Sequence, residues 1–133
     1  MIKLFIGGKG SGKTKTLIEM VNNAVASSNG NVVCIEKGDK LIHDITYKAR
    51  LIDTNAYDVC DAEALYGFIA GILASNSDIT DIFVDSALKI VGNDTAEFEN
   101  MLGKLNKITS DVNLVMTSSI AVDECPDGIK AYT

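Results

Sequence analysis

Apolar residues recur along this chain in two rhythms. Short unbroken runs read as buried strands, and stripes repeating every three or four residues read as helices. Ile2-Lys3-Leu4-Phe5-Ile6 is the first run. Leu17, Ile18, Val21, Ala24 and Val25 then share one face of a helix expected from Lys13 to about Ser28, with Asn29-Gly30 as its stop. Asn31 to Glu36 is apolar on both faces, the signature of a strand inside a parallel sheet. A second helix, about Asp61 to Ser75, carries the stripe Leu65, Phe68, Ile69, Ile72 and Leu73, with Asp61 as its N-cap. Ile79 to Asp85 is the third clear strand. Asp94 and Glu97 form a capping-box pattern for a helix striped by Phe98, Met101, Leu102, Leu105 and Ile108. Asp111 to Thr117 is the next strand.

Two stretches are less regular. Between Lys37 and Tyr57, Gly38-Asp39 marks a turn, and Ile45, Tyr47, Ala49 and Leu51 alternate with polar residues. That alternation predicts a short edge strand or a hairpin. The tail holds the only proline, Pro126, and a short last strand is expected near Ile129–Tyr132. Its brevity leaves the sheet edge open for another chain.

Strands alternating with helices imply right-handed crossovers and a mostly parallel sheet covered on both faces. The 133 residues make one domain, with 47% apolar residues to fill its core. No repeat, low-complexity tract or linker interrupts it. In such folds ligands sit beyond the carboxyl ends of the strands. The residues to inspect therefore follow each strand: the glycines after Ile6, then Glu36, Asp85 and Thr117.

The glycines carry the strongest signal. Gly7-Gly8-Lys9-Gly10-Ser11-Gly12-Lys13-Thr14 fits G-x-x-x-x-G-K-[ST], the phosphate-binding loop, in the strand–loop–helix setting that the motif requires. Backbone N–H groups in a tight loop converge on phosphate oxygens, and the helix opening at Gly12 adds its positive dipole end. Gly7, Gly8, Lys9, Gly10, Ser11, Gly12, Lys13, Thr14 and Lys15 are thus the expected nucleotide contacts. Lys13 is expected on the β- and γ-phosphates and the Thr14 hydroxyl on Mg²⁺. Asp85, ending an apolar strand, is the second expected metal ligand. Glu36 is a candidate to orient or deprotonate an attacking water, and Thr117, with Ser118 and Ser119, offers hydroxyls to the γ-phosphate.

Composition narrows the partners. The net charge of −6 argues against a nucleic-acid track. Cys34, Cys60 and Cys125 are widely spaced with no C-x-x-C, which points to reduced thiols and a cytoplasmic setting, with Cys34 in the core. No stretch is long and apolar enough to span a membrane, and the amino terminus reads as a strand with no cleavable signal. Arg50 is the lone arginine, and His43 has no metal-ligand companion.

These residues resemble a P-loop NTPase, a three-layer sandwich with about five strands. The nearest branch is the RecA-like one. There a catalytic glutamate ends the strand after the loop helix, the place that Glu36 holds, 36 − 13 = 23 positions beyond Lys13. Val33-Cys34-Ile35-Glu36 is similar to the glutamate-bearing strand of twitching-motility and type IV secretion ATPases. The likeness covers the loop and one strand. Those motors carry a further amino-terminal domain, a histidine motif and several interface arginines; 133 residues with one histidine and one arginine are not expected to accommodate these, and position 86 is serine where many related ATPases have glutamate.

The resemblance implies an ATP-binding protein with slow Mg²⁺-dependent ATP hydrolysis, as a homo-oligomer or with a protein partner. The alternative is a nucleotide-dependent switch or adaptor without turnover. A small-molecule kinase would want an arginine-bearing lid. A GTPase would want N-K-x-D after a strand, whereas Asn106-Lys107-Ile108-Thr109 lacks the aspartate and falls in a helical stretch.

Overall fold

A computed structural model describes residues 1–133. Its five strands are β1 (Ile2–Ile6), β2 (Asn31–Glu36), β3 (Arg50–Asp53), β4 (Ile79–Val84) and β5 (Asn113–Ser118). They form one sheet in the order β1-β5-β4-β2-β3, and every neighbouring pair is parallel. The helices are α1 (Lys13–Ser27), α2 (Ala62–Ser75), α3 (Ala87–Ile90), α4 (Thr95–Asn106) and α5 (Asp127–Lys130). No helix is long and apolar enough to cross a membrane.

The strand alternation divides the core in two. Cys34, Phe83 and Val115 are register partners across β2, β4 and β5 and face α1. They pack with Leu17 and Val21, and with Leu41, Ile45 and Ala49 from the segment after β2. One residue along each strand, Ile35, Val84 and Met116 point the other way. There Leu65 and Ile69 of α2, and Phe98, Met101, Leu102 and Leu105 of α4, cover them. The result is a three-layer α/β sandwich, and the inner strands β2, β4 and β5 are buried on both faces as continuous apolar runs require.

Caps set the helix starts where the sequence marks them. The Asp61 carboxylate accepts the Ala64 N–H at 2.7 Å, and the Asp94 carboxylate accepts the Glu97 N–H at 3.1 Å. Each such cap is worth about 1 kcal/mol.

Two expectations about the tail are corrected. The tail forms no strand: Pro126 opens the one-turn helix α5, its carbonyl accepting from Ile129 and Lys130. Ile129 and Tyr132 are three apart, a helical spacing, and both pack into the α2–α4 core. Nor does the tail leave the β1 edge wholly open. The Tyr132 carbonyl accepts the Leu4 N–H at 2.8 Å, and the Ile120 carbonyl accepts the Gly7 N–H at 2.9 Å. In the segment from Lys37 to Tyr57 the edge strand exists but there is no hairpin. β3 joins β2 in parallel, residues 37–49 are turns, and Thr54–Tyr57 is a turn of 3-10 helix.

Candidate functional site

Strand register assembles the site. Phe5 pairs with Thr117 and Ile6 with Ser118, so the glycine loop leaves the sheet beside the end of β5. Val84 pairs with Met116, which sets Asp85 level with Thr117. Three segments distant in sequence thus end at one rim.

The loop takes the backbone that its glycines permit. Gly7, Gly10 and Gly12 have φ of 147°, 81° and 83°, a region costly for any residue with a Cβ. Gly12, left-handed, is the residue from which α1 starts. Lys13 folds over its own loop. Its Nζ donates to the Gly7 carbonyl at 2.9 Å, the Gly8 carbonyl at 3.0 Å and Ser11 Oγ at 3.1 Å.

Thr14, Asp85 and Thr117 form a hydroxyl–carboxylate–hydroxyl network. Thr14 Oγ1 donates to Asp85 Oδ1 at 3.1 Å, and Thr117 Oγ1 donates to the same oxygen at 2.7 Å. Thr117 also accepts the Ser86 N–H at 2.8 Å, and Ser118 Oγ accepts the Leu88 N–H at 3.3 Å. The two hydroxyls of β5 therefore fix the start of α3 against the sheet. Thr117 Oγ1 thus joins the Asp85 carboxylate to the start of α3.

An open cavity of about 740 Å³ lies over this network. Loop residues 9–15 floor it; Ser86, Leu88, Lys89 and Asn93 form one wall, Thr117 and Ser119 another, and Lys40 reaches in from the turn after β2. Gly7 is buried beneath the loop, and Gly8 is exposed but off the lining. Of the residues expected from sequence, Lys9 through Lys15 and Thr117 line the cavity, and Asp85 backs it.

Glu36 is placed differently. It is 3% exposed and does not line the cavity. One carboxylate oxygen accepts the Lys40 N–H at 3.2 Å and the other the Leu41 N–H at 3.0 Å. Burial pushes its carboxyl above the ordinary range; the two amide bonds pull it down, and the charges of Asp85 and Asp53 add to the rise. In the same region burial, with the Glu36 and Asp85 charges, pushes the Cys34 thiol up to about 12. Arg50 opens β3 and so lies at the opposite end of the sheet from the loop, and His43 is an exposed loop residue.

Lys40, Lys89, Ser86 and Asn93 were not legible as site residues. No local motif surrounds them. Only the strand order brings the turns after β2 and β4 to face the loop.

Magnesium favours hard oxygen donors and keeps several waters, taking one or two protein groups besides phosphate oxygens. The Thr14 hydroxyl and Asp85 carboxylate, in contact beside the glycine loop, fit that demand. No cluster of three or more His, Cys, Asp or Glu exists for a metal held by protein alone. The chain matches no family model, and no curated protein matches it.

Proposed function

We propose that this chain is a P-loop NTPase-like protein that binds a magnesium–nucleoside triphosphate, with ATP as the reference ligand, and hydrolyses it slowly. The contact of Thr14 with Asp85 beside a glycine loop in left-handed geometry carries the reading. In that role the loop amides and the α1 N-terminus hold the phosphates. Lys13 leaves the Gly7 and Gly8 carbonyls for the β- and γ-phosphate oxygens. Thr14 and Asp85 would hold the metal, which when bound neutralises phosphate charge and polarises the transferred group. Thr117 keeps Asp85 aimed.

A second reading, a nucleotide-dependent switch without turnover that signals to a protein partner, draws on Glu36. Its two oxygens are engaged by the amides of Lys40 and Leu41 and stand back from the cavity lining. No Asp or Glu side chain lines the cavity to activate water.

Calorimetric titration of ATP with and without Mg²⁺, combined with a hydrolysis assay, separates the two. Binding lost in Lys13→Ala supports the phosphate site; equal binding in wild type and Lys13→Ala removes it. Turnover that falls in Glu36→Gln while binding holds supports hydrolysis through Glu36. Tight binding with no turnover in wild type selects the switch.

A further inference from the structure

This inference rests on the phosphate-site reading and names what that site reads. Small-molecule pockets are mostly apolar, with a few polar groups to fix orientation. The cavity here is the reverse. Only one apolar residue, Leu88, lines it, and that side chain is 8% exposed. No aromatic residue lines it. Lysines dominate instead: Lys9, Lys13 and Lys15 from the loop and α1, Lys40 from the turn after β2, and Lys89 from α3. A chain of net charge −6 has gathered five lysines, of the 12 lysines and arginines it owns, around one cavity.

Two of these lysines sit on backbone segments that buried groups tie down. The Glu36 carboxylate binds the Lys40 and Leu41 amides, which anchors the turn carrying Lys40. Ser118 Oγ, fully buried, accepts the Leu88 N–H next to Lys89.

Reading a base takes a stacking surface, worth about 1–3 kcal/mol per base, or buried donors and acceptors matched to its edge. These walls supply neither. Asn93, the one amide side chain on the lining, is exposed. We propose that the site recognises the magnesium-bound triphosphate chain itself and does not discriminate among bases, so that inorganic tripolyphosphate is a ligand comparable to ATP.

Competition calorimetry on the full chain tests this with ATP, GTP, CTP and tripolyphosphate, each with Mg²⁺, at low and high salt. The expected Kd values agree within about five-fold and weaken together as salt rises. Replacing both outer cations (Lys40→Ala with Lys89→Ala) weakens all four ligands by one common factor. A preference for ATP over GTP of about 30-fold or more, or tripolyphosphate failing to displace ATP, overturns the inference and leaves the phosphate site standing. Selective loss of one nucleotide in the double variant overturns it as well. If no polyphosphate binds at all, the phosphate-site reading falls with it.

Discussion

Thr14 and Asp85 stand 71 positions apart in the chain, yet the Thr14 hydroxyl donates to the Asp85 carboxylate at 3.1 Å. The contact exists because β5 lies between β1 and β4 and carries Thr117, whose hydroxyl holds the same carboxylate oxygen at 2.7 Å. Asp85 is thereby held by two hydroxyls, which in the proposed role lowers the cost of ordering it on binding.

Asp85→Asn tests the metal role of that contact. The amide oxygen still accepts from Thr117, so the fold holds, but the negative charge is gone. In wild type, Mg²⁺ is expected to strengthen triphosphate binding. In Asp85→Asn that gain shrinks by about ten-fold, in line with the loss of a charge-assisted contact. A full magnesium response in the variant would show that Asp85 does not hold the ion.

The loop glycines separate by geometry. A Cβ at Gly7 would lie 2.9 Å from Ser11 Oγ, on a backbone with φ of 147°. Gly8 has open space and no positive φ. Gly7→Ala is expected to cost about 1–3 kcal/mol and to abolish triphosphate binding, while Gly8→Ala changes stability by less than about 0.5 kcal/mol. Denaturant melts with parallel titrations measure both, and equal behaviour of the two variants would refute the loop geometry.

Glu36 makes the fold sensitive to pH. Its folded pKa is raised above its ordinary value of 4.5, chiefly by burial. The folded state therefore binds this proton more tightly than the unfolded chain does. The stability so gained is complete below 4.5 and is lost as pH rises through the folded pKa. Wild type should lose stability relative to Glu36→Gln as pH climbs from 4.5 upward. Denaturant melts of both proteins across pH 4 to 8 give the difference, and a trend of the opposite sign would contradict the raised pKa.

Periodic elements were readable because their signal is local. α1, α2, α4 and the buried runs of β2, β4 and β5 appear within two residues of where the stripes place them. The alternation from Ile45 to Leu51 misled. Ile45 and Ala49 are buried under the α1 face while Tyr47 is 91% exposed, a pattern made by turns and not by a strand through all of them. Four-residue β3 is specified by its parallel pairing with β2, a long-range fact that no local pattern states. The site divides in the same way. The loop is one contiguous motif, whereas Lys40 and Lys89 join it only through strand order. Glu36 was legible as a strand-end carboxylate, but its bonds to the Lys40 and Leu41 amides depend on how the next turn folds back.

The three thiols should differ sharply in reactivity. Cys60 is exposed, while Cys34 and Cys125 are buried. Burial, with the Glu36 and Asp85 charges, pushes the Cys34 thiol up to about 12 and so keeps it protonated and shielded at pH 8. A disulfide reagent should therefore show one fast thiol per native chain, lost in Cys60→Ser and kept in Cys34→Ser. A second fast thiol in the folded protein that is lost in Cys34→Ser would mean that the α1 face opens readily.

Ser86 joins backbone strain to the site. It follows Asp85 with φ of 56° and ψ of 49°, a left-handed conformation that costs a residue with a Cβ about 1–2 kcal/mol. The structure imposes it: the Ser86 N–H is held by Thr117 Oγ1 at 2.8 Å, and the next residue, Ala87, is fully buried at the start of α3. Glycine relieves the strain but adds flexibility to the unfolded chain, so Ser86→Gly should gain about 0.5–1 kcal/mol net. For a chain of this size that corresponds to a rise in Tm of about 2–4 °C. Because Thr117 links Ser86 to Asp85, the looser backbone should also weaken the magnesium-dependent part of triphosphate binding. A stability gain without that loss would assign the strain to the turn alone, and no gain at all would show that the left-handed serine is not strained.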